Sequence, residues 1–210
     1  WGDVNLDYYP VRISKLPQVN GQQLDAESFL EHIRTHFNDF VNISNSEFVP
    51  LDAGVDKAKW ESADPVGAVI NIKVNTGDLL GLPPWRTFID QSLVVCTRHG
   101  DRHWILSTAR GRPAAGHPVS GNRMWAIDAK GNDWIFYTMG ADRATSFLDW
   151  NANAVDLLWR GADALWRSLQ DGIAKFVEDN GGTAQVGTAH SRRYDWNRVR
   201  QLLALDGQKA

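Results

Sequence analysis

The sequence is poor in the residues that staple or thread a chain. It has one cysteine, Cys96, in 210 residues. A lone thiol excludes an intrachain disulfide framework and a cysteine-rich zinc site. No run approaches the ~18 consecutive apolar residues that a membrane-spanning helix needs. The chain starts at Trp1, with neither a methionine nor the basic and apolar regions of a leader. A processed chain, or one cut from something longer, is therefore expected. There is no P-loop, no glycine fingerprint for dinucleotides and no GxSxG elbow, so no cofactor is expected. An excess of cations is also lacking. The net charge is -3, which argues against a globally basic nucleic-acid binder.

Tryptophan, by contrast, is abundant: ten residues, which demand large apolar sites or an aromatic-lined cleft. Hydrophobic residues make up 43% and charged residues 22%, a balance that suits a globular chain and not a disordered one. The charge is unevenly placed. Residues 1–64 hold eleven acids and five bases. Residues 98–123 hold Arg98, Arg102, Arg110, Arg112 and Arg123 against Asp101, with three of the six histidines, His99, His103 and His117.

Periodicity sets out the elements. An edge strand is expected near Tyr8–Ile13. Asp25 and Glu27 open an amphipathic helix over 26–41, with Phe29, Leu30, Ile33, Phe37, Phe40 and Val41 on one face. Residues 42–64 read as turn-rich, anchored by Trp60. Val66–Val74 reads as a strand and Leu79–Arg86 as a loop. Ser92–Arg98 and His103–Ala109 form a hairpin in which Gly100-Asp101 is the turn, Cys96 faces Ile105 and Arg98 faces His103. Arg123–Asp128 and Asp133–Thr138 form a second hairpin. A long helix follows from about Ala152 to Glu178, interrupted by Gly161 and Gly172 and stopped by Asn180-Gly181-Gly182. The rest is a loose tail over 183–193 and a short helix capped by Asp195.

The fold class that follows is α+β: a mostly antiparallel sheet built from hairpins, packed on a long C-terminal helix and an early amphipathic helix. Residues 1–182 are expected to form one domain, with 183–210 a tail whose short helix packs on it.

The loop Gly111–Asn122 and its flanks collect the residues best suited to chemistry. Arginine forks match carboxylates and phosphates, and glycines admit an anion close to the backbone. Arg110, Arg112, Ser120, Arg123 and Arg143 are the candidate anion-binding set, with Trp104 and Trp125 beside them. His117 and Asp142 are the candidate acid–base pair. Against this stands the plainer reading of a polar crossover whose arginines pair with Asp101, Asp128, Asp133 or Asp142. Cys96 lies mid-strand among apolar residues and reads as a buried, inert thiol. His32 and His36 are four apart but lack a third ligand, so no metal is expected. Most tryptophans read as packing; Trp60, Trp85 and Trp150, in loops, are the candidates for exposed contact.

The segment Gly116-His117-Pro118-Val119-Ser120-Gly121-Asn122-Arg123, with Phe136-Tyr137-Thr138-Met139-Gly140-Ala141-Asp142-Arg143, resembles poorly characterised domains of large bacterial secreted, toxin-like or injection-system proteins. The resemblance implies a bacterial, modular and exported context, and no reaction. The order of elements also resembles helix-grip ligand-binding domains. Three functions follow as expectations. The first is a binding or interaction module of a larger effector, with an anionic ligand, a protein partner, the parent polypeptide or an immunity-type protein as its partner. The second is a toxin-type enzyme using His117 and Asp142, with Arg123 and Arg143, on a phosphate-bearing or amide substrate. The third is an apolar-ligand-binding helix-grip domain.

Overall fold

The computed structural model describes residues 3–42, 46–75, 88–110, 119–144 and 152–202. In chain order the elements are β1 (Val4–Lys15), a small hairpin of β2 (Gln18–Val19) and β3 (Gln22–Gln23), α1 (Ala26–Thr35), a 3-10 turn (Phe37–Asp39), β4 (Ser46–Pro50) and α2 (Val55–Trp60). There follow β5 (Val69–Asn75), β6 (Phe88–Gly100), β7 (His103–Thr108), β8 (Val119–Lys130), β9 (Asp133–Ala144), α3 (Ala152–Asp179), β10 (Thr183–Val186), β11 (His190–Tyr194) and α4 (Trp196–Leu202). Nine strands make one antiparallel sheet in the order β10-β1-β9-β8-β7-β6-β5-β4, with β11 also on β1. The class expected from the sequence is the one observed: a large antiparallel sheet, a long late helix and an early helix around one core.

Local chemistry places the helices. The Asp25 side chain accepts from Ser28 N at 2.7 Å, which caps α1. Phe29, Leu30 and Ile33 then bury one face. The expected helix to residue 41 stops at Thr35 and tightens into the 3-10 turn. Phe37, Phe40 and Val41 stay buried through that change, so the apolar face survives although the helix does not. The turn is set by contact with α3. A Cβ on Gly172 would lie 2.9 Å from the Phe40 carbonyl carbon, so glycine is what lets the two backbones meet. Beyond Gly172, Leu165, Leu169, Ile173 and Val177 carry the buried stripe of α3. Gly181, at φ 73, and the Gly182 N–H on Val177 O at 2.8 Å end the helix as expected.

Several expectations need correction. The first hairpin turns at Asp101-Arg102, one residue later than expected, with Gly100 paired to His103. A bulge between Cys96 and Arg98 shifts the register, so Cys96 faces Leu106, and Arg98 faces Ile105. Cys96 therefore shares the inner face with Leu106, away from His103. It is buried, and burial pushes its thiol pKa up, as expected of an inert thiol. The second hairpin keeps its expected faces, but its strands run on to Val119 and Ala144. Residues 42–64 are not all turn; they contain β4 and α2. The strand near Tyr8–Ile13 is longer and is no edge. β9 lies on one side, and β10 and β11 lie end to end on the other.

That second flank is pinned at Pro10. Gly187 N donates to Pro10 O at 2.9 Å where the chain passes from β10 to β11. The buried Gln170 of α3 donates Nε2 to Pro10 O at 2.6 Å and to Gly187 O at 3.2 Å. One side chain of the long helix thus ties β1 to the residue between the two late strands. The stretch expected to be a loose tail is strand on both sides of this tie. The short last helix is capped as expected, with Arg198 N on Asp195 Oδ1 at 3.1 Å.

Candidate functional site

The inner face of the sheet carries alternate residues of each strand. From β1 these are Asn5, Asp7, Tyr9, Val11 and Ile13, all buried. β7 contributes Trp104 and Leu106, and β8 contributes Arg123, Trp125 and Ile127. Trp104 and Trp125 stack with ring centroids 5.3 Å apart. Trp166 of α3 meets Trp125 edge-on at 5.8 Å. These rings fill much of the grip between sheet and helix.

Beside them lies a cavity of about 190 Å³. Its wall includes Phe37, Phe48, Ile70, Trp104, Leu106 and Trp125, with Arg34 and Trp60 at one side. The volume exceeds that of a cavity known to hold benzene, ~150 Å³. Trp125 Nε1 is buried without a hydrogen-bond partner. Arg34 is fully buried, donates to Ser62 O at 3.0 Å and to Trp60 O, and pairs with Glu31. Its guanidinium also lies 5.0 Å from the Trp60 ring centroid. It joins α1 to the end of α2, leaving its donors engaged.

A second feature is polar. Arg123 Nη2 donates to Asp7 Oδ2 at 2.7 Å and to Asp142 Oδ2 at 3.4 Å. All three side chains are enclosed, with exposures of 8%, 2% and 12% in the order named. Asn5 Nδ2 donates to Asp7 Oδ2 at 2.9 Å, and the guanidinium sits 4.1 Å from the Trp166 ring centroid. Asp7 Oδ1 is buried with no partner. Burial, reinforced by the Asp7 charge, pushes the Asp142 carboxyl up to about 6, although Arg123 pulls the other way. The backbone makes room for the cluster with glycine. A Cβ on Gly140 would lie 2.8 Å from Arg123 Cζ and 2.9 Å from Asp142 Oδ2. A Cβ on Gly121 would lie 2.7 Å from Asp142 Cα. Nearby, Tyr9 OH donates to Asp163 Oδ1 at 2.8 Å, and burial with that bond raises the Tyr9 pKa.

The residues singled out from the sequence divide by face. Arg123 and Asp142 come together inside the grip, although they are nineteen positions apart, because β8 and β9 pair Gly121 with Asp142. Arg143 is on the opposite face, opposite Ser120 and 5.9 Å from the Trp196 ring centroid. Ser120 is exposed there, and Arg110 is exposed at the end of β7. Trp104 and Trp125 are inside, against the cavity. Arg112 and His117 lie outside the described residues, as do Trp85 and Trp150. Of the four described arginine and serine candidates, Arg123 turns inward onto two carboxylates, whereas Ser120 and Arg143 lie on the opposite face.

Sequence reasoning missed Asp7, Asn5 and Arg34. Asp7 alternates with Asn5, Tyr9 and Val11 on β1, and that alternation was the signal. It was hidden because polar residues on alternate positions ordinarily mark the solvent face. Arg34 follows Ile33 on the buried side of α1, with Glu31 three residues earlier.

The arrangement defines the class: a helix-grip fold, a curved antiparallel sheet closed over a long helix, with two late strands added on β1. The sequence matches no family model and no curated protein. Solved structures do match in fold. The chain is similar to the di-domain ARO/CYC StfQ from the steffimycin biosynthetic pathway, with a TM-score of 0.50 and 10% identity over 84% of this chain. It spans about half, 52%, of that protein's length. Truncated norcoclaurine synthase from Thalictrum flavum matches at TM-score 0.47 and 11% identity, covering 84% of this chain and 96% of that one. A START superfamily protein from Mycobacterium smegmatis matches at 0.45 and 9%, covering 83% and 98%.

Proposed function

We propose that the chain is a small-molecule-binding helix-grip domain whose ligand lies in the grip, its apolar body against Phe37, Phe48, Trp104 and Trp125. The observation that carries this reading is the cavity of about 190 Å³ with an aromatic wall. The cavity is partly open, with Lys57 and Glu61 at its rim, so a ligand can reach the aromatic wall from solvent. The partnerless Nε1–H of Trp125 adds a donor for a ligand acceptor. The likeness to the ARO/CYC protein is one of fold and brings no reaction with it.

Tryptophan fluorescence against a panel of flat, small apolar compounds tests the reading. Binding is expected to change the emission of the Trp104–Trp125 pair. Leu106→Phe, which fills the cavity from the sheet side, is expected to abolish that change while leaving the far-ultraviolet dichroism intact. A folded Leu106→Phe protein that binds as well as the parent would refute the site, and a parent that binds nothing would refute the function.

A second reading has its own observation. Asp142, with a carboxyl that titrates near pH 6, is poised for proton transfer. In that reading Asp142 would act on a bound ligand as the acid or base, with the Arg123 guanidinium beside it holding its ionised form.

A further inference from the structure

The apolar reading of the grip leaves the polar cluster unexplained. Asp7 and Asp142 share one guanidinium, so the fully ionised cluster carries one net negative charge. Among the described residues, the groups packed around it do not make up the difference. They are Asn5, Asp7 and Tyr9 from β1, Arg123 from β8, Thr138 and Asp142 from β9, and Trp166 from α3. Beyond Tyr9 stands Asp163, which is matched by Arg167 at 2.8 Å. Asp7 Oδ2 accepts twice, from Arg123 and Asn5, whereas its Oδ1 accepts nothing. A buried carboxylate oxygen without a donor is costly, and a structure that keeps one has a use for it or fills it with water.

We propose that this cluster is the head-group subsite of the grip, and that it takes a protonated amine or amidine. The inference rests on the grip holding a ligand. An ammonium group supplies one positive charge and up to three donors, enough to satisfy Asp7 Oδ1 and to reach Asp142. With it bound, two carboxylates face two cations. Without it, the raised carboxyl of Asp142 retains a proton to about pH 6, which supplies the missing charge another way. The sign is the reverse of the one the arginine-rich window suggests. An anion here would meet two carboxylates around a guanidinium already paired. A metal ion fits poorly, because no group of three or more histidine, cysteine, aspartate or glutamate side chains among the described residues is placed to hold one.

Three isosteric probes test this: benzylamine, benzyl alcohol and benzoate, each titrated by calorimetry and by ligand-observed NMR. At neutral pH benzylamine is expected to bind roughly tenfold more tightly than benzyl alcohol, the difference between a charge-assisted and a neutral hydrogen bond, with benzoate weakest. Asp7→Asn leaves Arg123 with Asp142 alone, a balanced pair, and is expected to fold and to lose the preference. The amine preference should also shrink below about pH 6, as Asp142 takes up its proton, while alcohol binding stays level. Equal binding of amine and alcohol, or a preference that survives in Asp7→Asn, overturns the subsite and leaves the grip reading standing. Failure of all three probes to bind overturns both.

Discussion

Replacing Asp142 with asparagine keeps the shape of the buried cluster and removes one titration. In the native protein the Asp142 carboxyl is raised to about 6 from an ordinary value of 3.8. Two pK units correspond to about 3 kcal/mol. The sign follows from proton counting. Between those two values the native state binds more protons than the unfolded chain, so stability falls as pH rises. The contribution is fully present below the unfolded value and is lost as pH climbs through 6. About 2 kcal/mol of that loss falls between about pH 4.5 and about pH 7.5. Asp142→Asn has no such term, so its stability relative to the parent should improve by this amount across that interval. Urea unfolding of both proteins at several pH values measures the difference. The absolute cost of losing an ionic hydrogen bond to Arg123 cancels from the comparison. Parallel stability curves for parent and variant would refute the burial argument for Asp142.

Two further outcomes follow from packing. Gly172→Ala should destabilise the protein by about 1–3 kcal/mol, read as a lower Tm, because overpacking against the Phe40 backbone outweighs the gain of about 1 kcal/mol in helix propensity. Gln170→Leu should cost about 1–3 kcal/mol in urea unfolding, since it strips the side-chain donor from the carbonyls of Pro10 and Gly187.

Much of the architecture was legible because its signals are local. Asp25 before an apolar stripe, Leu165 to Val177 at helical spacing, and the alternating pairs Trp125 with Ile127 and Trp134 with Phe136 each declare an element without reference to the rest. What escaped depends on partners far away in sequence. The residues of β10 and β11 are mostly exposed and look like tail until β1 offers them an edge. The bulge at Cys96 is invisible in a hairpin whose turn residues also fit the neighbouring register. The site was legible by half. Arg123 and Asp142 drew attention by charge, and hairpin pairing brings them together. Asp7, which gives Arg123 its nearer carboxylate, was not legible because it comes from the first strand.

The position of β1 also has a bearing on how the chain folds. Val4 pairs with Arg143 on one side and with Tyr194 on the other. β1 is rich in β-branched and aromatic residues, and the strands that cover both of its flanks lie far along the chain from it. Contacts so distant along the chain slow folding, because loop closure must be paid for before any pairing rewards it. They also expose a sticky segment during that delay. A chain truncated after α3 would therefore lose more than two short strands: it would leave β1 with an open flank on which other copies can pair.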